Sequence, residues 1–244
     1  MNGYSVKNHI KKILGSNIVT FLKYNLPSLS AHSSYSQSGE DVLLDSFLGH
    51  KKNGFYVDIG AHDHISLSNS YLFYKRGWSG IQVEPNYKKI SGFKKYRPGT
   101  TSLNVGIGDR KKSKFFIFDS AIISTFSEEE ARVHESFGHK IVETVDVEVI
   151  PLQDIFKQYL KGNHIDFMSV DTEGYDMEVL KTNDWELYRP SFIIVETAAY
   201  DKDKYGAKLN DTYDPYMSGI GYEKVADTYL NTIYRDIKNP LKGW

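Results

Sequence analysis

The chain has 244 residues, of which 40% are hydrophobic and 25% are charged. A chain of this length and composition forms one large globular domain or two small ones, and intrinsic disorder over most of its length is excluded. The 30 basic and 31 acidic residues give a net charge of −1, so no global positive field attracts nucleic acid. The chain contains no cysteine, which excludes disulfides, thiolate metal sites and cysteine nucleophiles.

The N-terminal segment, residues 1–35, is expected to form a helical extension followed by a linker. Apolar side chains from Tyr4 to Leu26 recur at spacings of three and four, which predicts a helix that Pro27 ends. This helix packs on the main domain or on a second subunit of a homo-oligomer. Because its lysines lie mostly off the apolar stripe, the alternative is a peripheral contact with a membrane surface.

The cellular location is predicted from two sequence features. No apolar run approaches the length of a membrane-spanning helix. The N-terminus also lacks the uninterrupted apolar stretch and small-residue cleavage site of a secretory signal. We therefore expect a cytoplasmic protein with no transmembrane segment.

Beyond this extension the apolar pattern alternates between helical spacing and short, nearly all-apolar runs. Runs that end at an acid or a glycine predict strands buried on both faces of a sheet. In chain order the predicted elements are helix Glu40–Leu48, strand Gly54–Gly60, helix Ser68–Arg76, strand Gly80–Glu84, helix Tyr87–Tyr96, strand Thr101–Ile107, helix Leu152–Leu160, strand His164–Asp171, helix Tyr175–Lys181 and strand Ser191–Glu196. This alternation predicts an α/β fold with a mostly parallel, doubly wound sheet.

Two further segments complete the predicted domain of residues 36–244. Residues 110–150 form an insertion, with strands at Ser113–Phe118 and Thr144–Val149 and a helix that begins behind Ser127. The tail from Gly221 to Arg235 predicts an antiparallel hairpin. We expect the insertion, together with the loop Thr197–Lys204, to shape a substrate pocket.

Acidic residues follow the predicted strands at four places. They are Asp58, just before Gly60, then Glu84, then Asp171 with Glu173, and Glu196. In an open α/β sheet, ligands bind outside the carboxyl ends of the strands. Because carboxylates at such an edge are costly unless they face water or a ligand, the pattern favours a functional site over a purely structural protein.

The first of these strand ends predicts the type of cofactor. The turn after Asp58 has a glycine at Gly60 but lacks the two further glycines of a dinucleotide fingerprint, so it suits a ligand without phosphates. Glu84 ends the next strand, where an acid accepts hydrogen bonds from ribose hydroxyls and repels a 2′-phosphate. A positively charged adenosine such as S-adenosylmethionine is the natural candidate. Alternatively, Glu84 only caps the following helix.

The same turn carries two histidines, His62 and His64, and these allow a second interpretation. Histidines at alternate positions after a strand can hold a catalytic metal, and further histidines could complete the site, namely His134, His139 and His164. This predicts a metal-dependent hydrolase.

The second acidic strand end, Asp171-Thr172-Glu173, predicts where the reaction takes place. Asp171 projects over the site from the sheet edge and is expected to do chemistry or to bind a metal ion or the ligand amine. Glu173 is expected at a helix N-terminus, where its ionised form is favoured. The alternative is that Glu173 only caps that helix.

Taken together, these residues resemble the FkbM-type S-adenosylmethionine-dependent methyltransferases from about Tyr35 to Arg235. The resemblance rests on several motifs in the same order: Phe55–His62, Ser68–Ser70, Tyr74–Asn86, Ile165–Asp176, Glu178–Leu180 and Trp185–Pro190, supported by Ser36–Asp41, Gly221–Tyr222 and Asn231–Tyr234. The sequence departs from the family at Asp63-His64, where many relatives have histidine followed by proline. The departure leaves the role of that turn, and with it the acceptor, open.

The resemblance implies a Rossmann-like class I methyltransferase fold and methyl transfer to an oxygen, commonly a sugar hydroxyl of a nucleotide-linked sugar or a surface-glycan precursor. The cofactor-binding residues that it implies are Gln37, Glu40, Asp58, Gly60, Ala61, Asn69, Glu84, Gly106, Ile107, Asp109 and Asp171. A sugar hydroxyl is a weak nucleophile that needs a base or a cation. Our hypothesis is that Asp171 or Glu173 is the base, with His62 or His64 nearby and Glu196 as a weaker candidate. Because strand-end carboxylates are also magnesium ligands, Mg²⁺-assisted transfer is the alternative.

Three classes of function remain in view. The first is a methyltransferase for polysaccharide biosynthesis, the second is the metal-dependent hydrolase, and the third is a non-catalytic cofactor-binding protein. A nucleic-acid methyltransferase is disfavoured, because the lysines are scattered and no basic stripe with interleaved aromatics occurs.

Overall fold

The structure is a computed structural model that describes residues 33–109, 111–199 and 207–240. The predicted N-terminal helix Tyr4–Leu26 and most of the loop after Glu196 lie outside the described residues. Within the described part of the chain, no helix has both the length and the apolar character needed to cross a membrane.

Helices and strands alternate along the chain much as predicted. The helices are α1 Glu40–Phe47, α2 Tyr71–Lys75, α3 Tyr87–Tyr96, α4 Glu128–Ser136, α5 Leu152–Tyr159, α6 Asp176–Lys181 and α7 Asn210–Gly219. The strands are β1 Phe55–Ile59, β2 Ser79–Val83, β3 Thr101–Leu103, β4 Gly106–Ile107, β5 Lys112–Phe118, β6 Ile141–Ile150, β7 Phe167–Val170, β8 Phe192–Glu196, β9 Ala198–Ala199, β10 Ala207–Lys208, β11 Tyr222–Asp227 and β12 Asn231–Asp236.

The main sheet confirms the predicted doubly wound topology. Its strands lie in the order β11-β12-β8-β7-β1-β2-β3. β12 is antiparallel to both of its neighbours, and the pairs from β8 to β3 are parallel. Strand order changes direction at β1, whose neighbours are β2 on one side and β7 on the other. In this topology the crevice for a ligand opens at the carboxyl ends of those strands.

The register brings three strand ends to one edge. Ile59 lies opposite Val170, and Val170 lies opposite Val195. Gly60 and Asp171, which follow β1 and β7, and Glu196, the last residue of β8, therefore lie side by side at this edge.

The core lies on both faces of this sheet, because alternate residues of each strand point to opposite sides. From β1, Val57 and Ile59 pack with α5, α6 and α7 on one face. Tyr56 packs on the other face with Phe73 and Trp78. The fully buried strands account for the continuous apolar runs in the sequence.

Two of the differences between structure and prediction have a clear physical reason. The single strand expected over Thr101–Ile107 is divided into β3 and β4, because the Asn104 side chain donates to the main-chain oxygens of Glu84 (2.8 Å) and Pro85 (2.9 Å) and interrupts the ladder. Helix α7 was not predicted, since it is rich in weak helix formers and contains Pro215. Burial of Tyr213 and Met217 stabilises it nevertheless.

The insertion forms a small sheet of its own in the order β4-β6-β5. β5 and β6 are the two strands predicted from the aromatic and alternating patterns, and they pair antiparallel. Ser127 caps α4 by accepting a hydrogen bond from the Glu130 amide at 3.2 Å.

Candidate active site

An open cleft of about 770 Å³, solvent at its mouth included, lies at the carboxyl edge of the main sheet. Its walls come from the chain before α1, from the ends of β1, β2 and β7, and from the insertion. The lining residues used below are Gln37, Gly60, His62, Glu84, Gly106, Ile107, Phe115, Ala121, Ile122, Ser124, Phe126, Asp171, Glu173 and Tyr175.

At Gly60 the main chain of one cleft wall passes close to the main chain of Asp171. Its φ is +77°, and a Cβ at this position would collide with the main-chain oxygen of Asp171. The amides of Gly60 and Ala61 both donate to the Val83 oxygen, at 3.0 and 3.1 Å. Residue 60 therefore has to be glycine for β1, β2 and β7 to end around one cavity.

Glu84 is a buried carboxylate on the wall of the cleft, with 5% of its surface exposed. Its two oxygens accept hydrogen bonds from the amides of His62 (2.8 Å) and Asn86 (2.6 Å). Burial raises the pKa of Glu84 to about 7, against the lowering effect of these two hydrogen bonds. The side-chain cap of α3 is Asn86, whose Oδ1 accepts from the Lys88 amide at 3.1 Å. The remaining lone pairs of Glu84 can accept hydrogen bonds from hydroxyl groups of a ligand.

Asp58 lies behind the cleft and not on its wall. It accepts a hydrogen bond from the Ser70 hydroxyl, which in turn accepts from Arg97 Nη1 at 2.7 Å. The fully buried Arg97 also donates to Ser68 Oγ (2.8 Å) and to the main-chain oxygen of His64 (2.7 Å). Burial raises the pKa of Asp58, while Ser70 and Arg97 oppose that rise. Arg97 was missed, because an arginine after a helix carries no sequence signal of burial.

Glu40 also lies behind the cleft and does not line it. It is fully buried and accepts hydrogen bonds from Asn231 (2.9 Å) and Thr228 (2.7 Å). Burial opposes its ionisation, but the hydrogen bonds outweigh it and hold the pKa of Glu40 below the usual value. The hydrogen bond from Asn231 joins α1 to β12 behind the cleft.

Three other predicted cofactor residues do not line the cleft. Asn69 is buried and donates to Ser169 Oγ at 2.9 Å, Ala61 is buried, and Asp109 is exposed. Gly106 and Ile107 do line it, as do Gln37, Gly60, Glu84 and Asp171 of the same predicted set.

Three carboxylates meet at the ends of β7 and β8. Asp171, Glu173 and Glu196 each place one oxygen within 4.8 Å of the others. Burial raises the pKa of Asp171 to about 6, against the effect of its hydrogen bond with Glu196. Burial and then the charges of Asp171 and Asp176 raise the pKa of Glu173 well above its usual value.

Glu173 does not have the helix-terminal environment expected from the sequence. Helix α6 begins only at Asp176, and it is Asp176 that accepts the Thr172 amide at 2.9 Å. Glu173 adopts a left-handed conformation (φ +53°), and its Oε2 is buried without a hydrogen-bond partner. The expected stabilisation of the ionised form is therefore absent, and the pKa is raised.

The two histidines of the turn have different surroundings. His62 lines the cleft, and burial, aided by the charge of Lys89, lowers its pKa to about 4, so its ring is neutral near pH 7. His64 instead stacks on Tyr96 of α3, with ring centroids 4.6 Å apart. In the described part of the chain, the carboxylate trio is the group of three side chains positioned to share an ion, and no histidine belongs to it. The hydrolase prediction thus has no geometric support.

The insertion forms one wall of the cleft. Phe115, Ile122 and Phe126 line it, and the buried Thr125 donates from its hydroxyl to the main-chain oxygen of Glu173 at 2.8 Å. This hydrogen bond ties the insertion to the acidic strand end. Sequence patterning indicated the aromatic strand but gave no sign of Thr125.

The sequence matches a known protein family over most of its length. Residues 58–224 match the family described as "Methyltransferase FkbM domain". A search of the curated proteins finds no match. Among solved structures, the chain is similar to one titled "Crystal structure of small RNA methyltransferase HEN1", with 13% identity and a TM-score of 0.39. The alignment covers 88% of this chain and 28% of that one.

Proposed function

The chain belongs to the FkbM methyltransferase family, and from this premise we propose that it is an S-adenosylmethionine-dependent O-methyltransferase for a sugar hydroxyl. The acceptor class is a nucleotide-linked sugar or a surface-glycan precursor. The observation that carries the proposal is the pairing of the Gly60 turn with the buried carboxylate of Glu84 at one cleft. A cytoplasmic location is part of the proposal and rests on the sequence.

The residues of the cleft fit the cofactor. Glu84 accepts hydrogen bonds from the ribose hydroxyls, while the close main chain at Gly60 leaves room for the methionine end. Gly106 and Ile107 border the adenine. When bound, S-adenosylmethionine supplies an activated methyl group for in-line displacement by the acceptor oxygen.

Asp171 is the proposed base at the acceptor end. Its pKa of about 6 leaves it mostly ionised near neutral pH, where it can take the proton of the attacking hydroxyl. The neutral His62 lines the same cleft and can accept a hydrogen bond from the acceptor. The protein otherwise contributes orientation, since holding the hydroxyl in line with the methyl group accelerates the displacement.

Calorimetric titration of S-adenosylmethionine and S-adenosylhomocysteine into the purified protein tests this proposal. We expect micromolar binding that Glu84→Ala abolishes. Glu143→Ala is the matched control, since Glu143 pairs with Lys88 outside the cleft. An absence of binding to the wild-type protein would overturn the proposal.

Turnover distinguishes an enzyme from a protein that only binds the cofactor. Methyl transfer from labelled cofactor to a panel of nucleotide-linked sugars and glycan precursors is the expected result. Cofactor binding with no transfer to any member of the panel would favour the non-catalytic alternative.

A further inference from the structure

We propose that Asp171, Glu173 and Glu196 form a binding site for one divalent cation, Mg²⁺ or Mn²⁺, at the acceptor end of the cleft. The inference rests on the proposed function and deepens it, because it names an ion that would hold the acceptor oxygen.

The geometry of the three carboxylates suits such an ion. Asp171 follows β7, Glu196 ends the paired strand β8, and Glu173 turns back toward them in its left-handed conformation. One oxygen from each lies within 4.8 Å of the others. Magnesium binds oxygen at about 2.1 Å, so its opposite ligands lie about 4 Å apart. Small side-chain rotations would therefore bring all three oxygens onto one ion.

A second observation points to a ligand that is needed here. Glu173 is 8% exposed, and its Oε2 is buried without a hydrogen-bond partner. The nearby amide and hydroxyl of Thr172 donate hydrogen bonds to Asp176, at 2.9 and 3.1 Å, and not to Glu173. An unpaired, buried carboxylate oxygen is costly, and a coordinated cation removes that cost.

The surrounding charges also favour a cation. The charged groups that act on Glu173 are Asp171, Asp176 and Glu130, all of them acidic. No Lys or Arg of the described residues forms an ion pair with Asp171 or Glu173. A divalent ion would offset this concentration of negative charge.

The bound ion would take part in acceptor recognition. Asp171 and Glu173 line the cleft, so positions left open on the ion face the space for the acceptor. Mg²⁺ keeps several exchangeable waters, and two neighbouring hydroxyls of a sugar can replace a pair of them. An oxygen on the ion would also lose its proton more readily, so with the ion bound this activation would replace the base role proposed for Asp171. The site therefore favours acceptors with vicinal hydroxyls.

Mn²⁺ binding to the purified full chain tests the site directly, without any activity measurement. Loss of the free-Mn²⁺ signal in electron paramagnetic resonance is expected to show one equivalent bound, displaced by excess Mg²⁺. We expect Glu173→Gln and, independently, Asp171→Asn to weaken Mn²⁺ binding at least tenfold. Glu178→Gln on α6 is the matched control, because Glu178 is exposed and outside the trio, and it should bind Mn²⁺ as the wild type does.

The outcomes separate this inference from the proposed function. If the wild-type protein takes up no stoichiometric Mn²⁺, or if Glu178→Gln weakens binding as much as Glu173→Gln, the cation site is overturned even when S-adenosylmethionine binds. If Mn²⁺ binds as expected but S-adenosylmethionine does not, the cation site stands and the methyltransferase proposal fails.

Discussion

The main-chain oxygen of Asp171 occupies the space that a side chain on residue 60 would need. Gly60→Ala would force β1 and β7 apart and also place an alanine at φ +77°. We expect a loss of about 3 kcal/mol in the free energy of unfolding and at least a hundredfold weaker cofactor binding. Chemical denaturation and calorimetry measure the two effects. Gly99→Ala should change neither, because nothing lies within 4 Å of its Cβ position.

Cofactor binding should depend on pH through Glu84. Ionised Glu84 accepts ribose hydroxyls better than the protonated acid, so binding favours proton release. The pKa of Glu84 is near 7 in the free protein. Cofactor affinity should therefore rise with pH, by at most about tenfold per pH unit, up to about pH 7 and level off above it. Calorimetry from pH 5.5 to 8.5 measures this. Glu84→Gln should flatten the curve, and an unchanged slope in that variant would exclude Glu84 as its source.

Asp171 should matter for turnover much more than for cofactor binding. Asp171→Asn keeps the shape of the side chain but removes the base. We expect kcat to fall about a hundredfold or more, with the cofactor dissociation constant changed less than threefold. Steady-state kinetics with calorimetry on the same preparation separates the two quantities. Unchanged turnover would remove Asp171 from the mechanism.

Arg97 should be a stability determinant of the cleft. Arg97→Met would leave Ser68, Ser70 and the His64 oxygen without their donor in a buried setting. The expected loss is about 3 kcal/mol in the free energy of unfolding. Urea denaturation measures it. Lys94→Met, at an exposed position of helix α3 just before Arg97, should cost less than about 0.5 kcal/mol.

The hydrogen bond from Thr125 to Glu173 should hold the insertion against the acidic strand end. Thr125→Val keeps the side-chain volume and removes the hydroxyl. The main-chain oxygen of Glu173 and the amide of Ser127 then lose their hydrogen bonds to Thr125. We expect a loss of about 1–2 kcal/mol and faster amide exchange over residues 120–135. Thr144→Val, on the exposed face of β6, is the control. Equal exchange in both variants would argue against the contact.

The main sheet was predictable from the sequence because its strands are buried on both faces and end at acids or glycines. Gly60, Glu84 and Asp171 could be placed at one edge for the same reason. Helix α7 escaped prediction, since tertiary burial of Tyr213 and Met217 outweighs weak local propensity.

The sequence pattern did not predict which side chains of the site face the cleft. Asp58 belongs to β1 and lies behind the cleft, whereas Gly60 follows the strand and borders the cleft. His64 packs on Tyr96 although His62, two positions earlier, faces the cavity. Arg97 and Thr125 act through contacts with residues distant in sequence, and no local pattern marks such contacts.

The pairing of β1 with β7 also affects how the chain folds while it is being synthesised. Tyr56 of β1 lies opposite Phe167 of β7. During synthesis β1 therefore emerges long before this partner strand. Until then β1 presents an apolar, unpaired edge, the kind of surface that chaperones protect. Pairing between distant segments also makes folding slow. A ligand that contacts both Gly60 and Asp171 could stabilise the fold only after β7 has been synthesised.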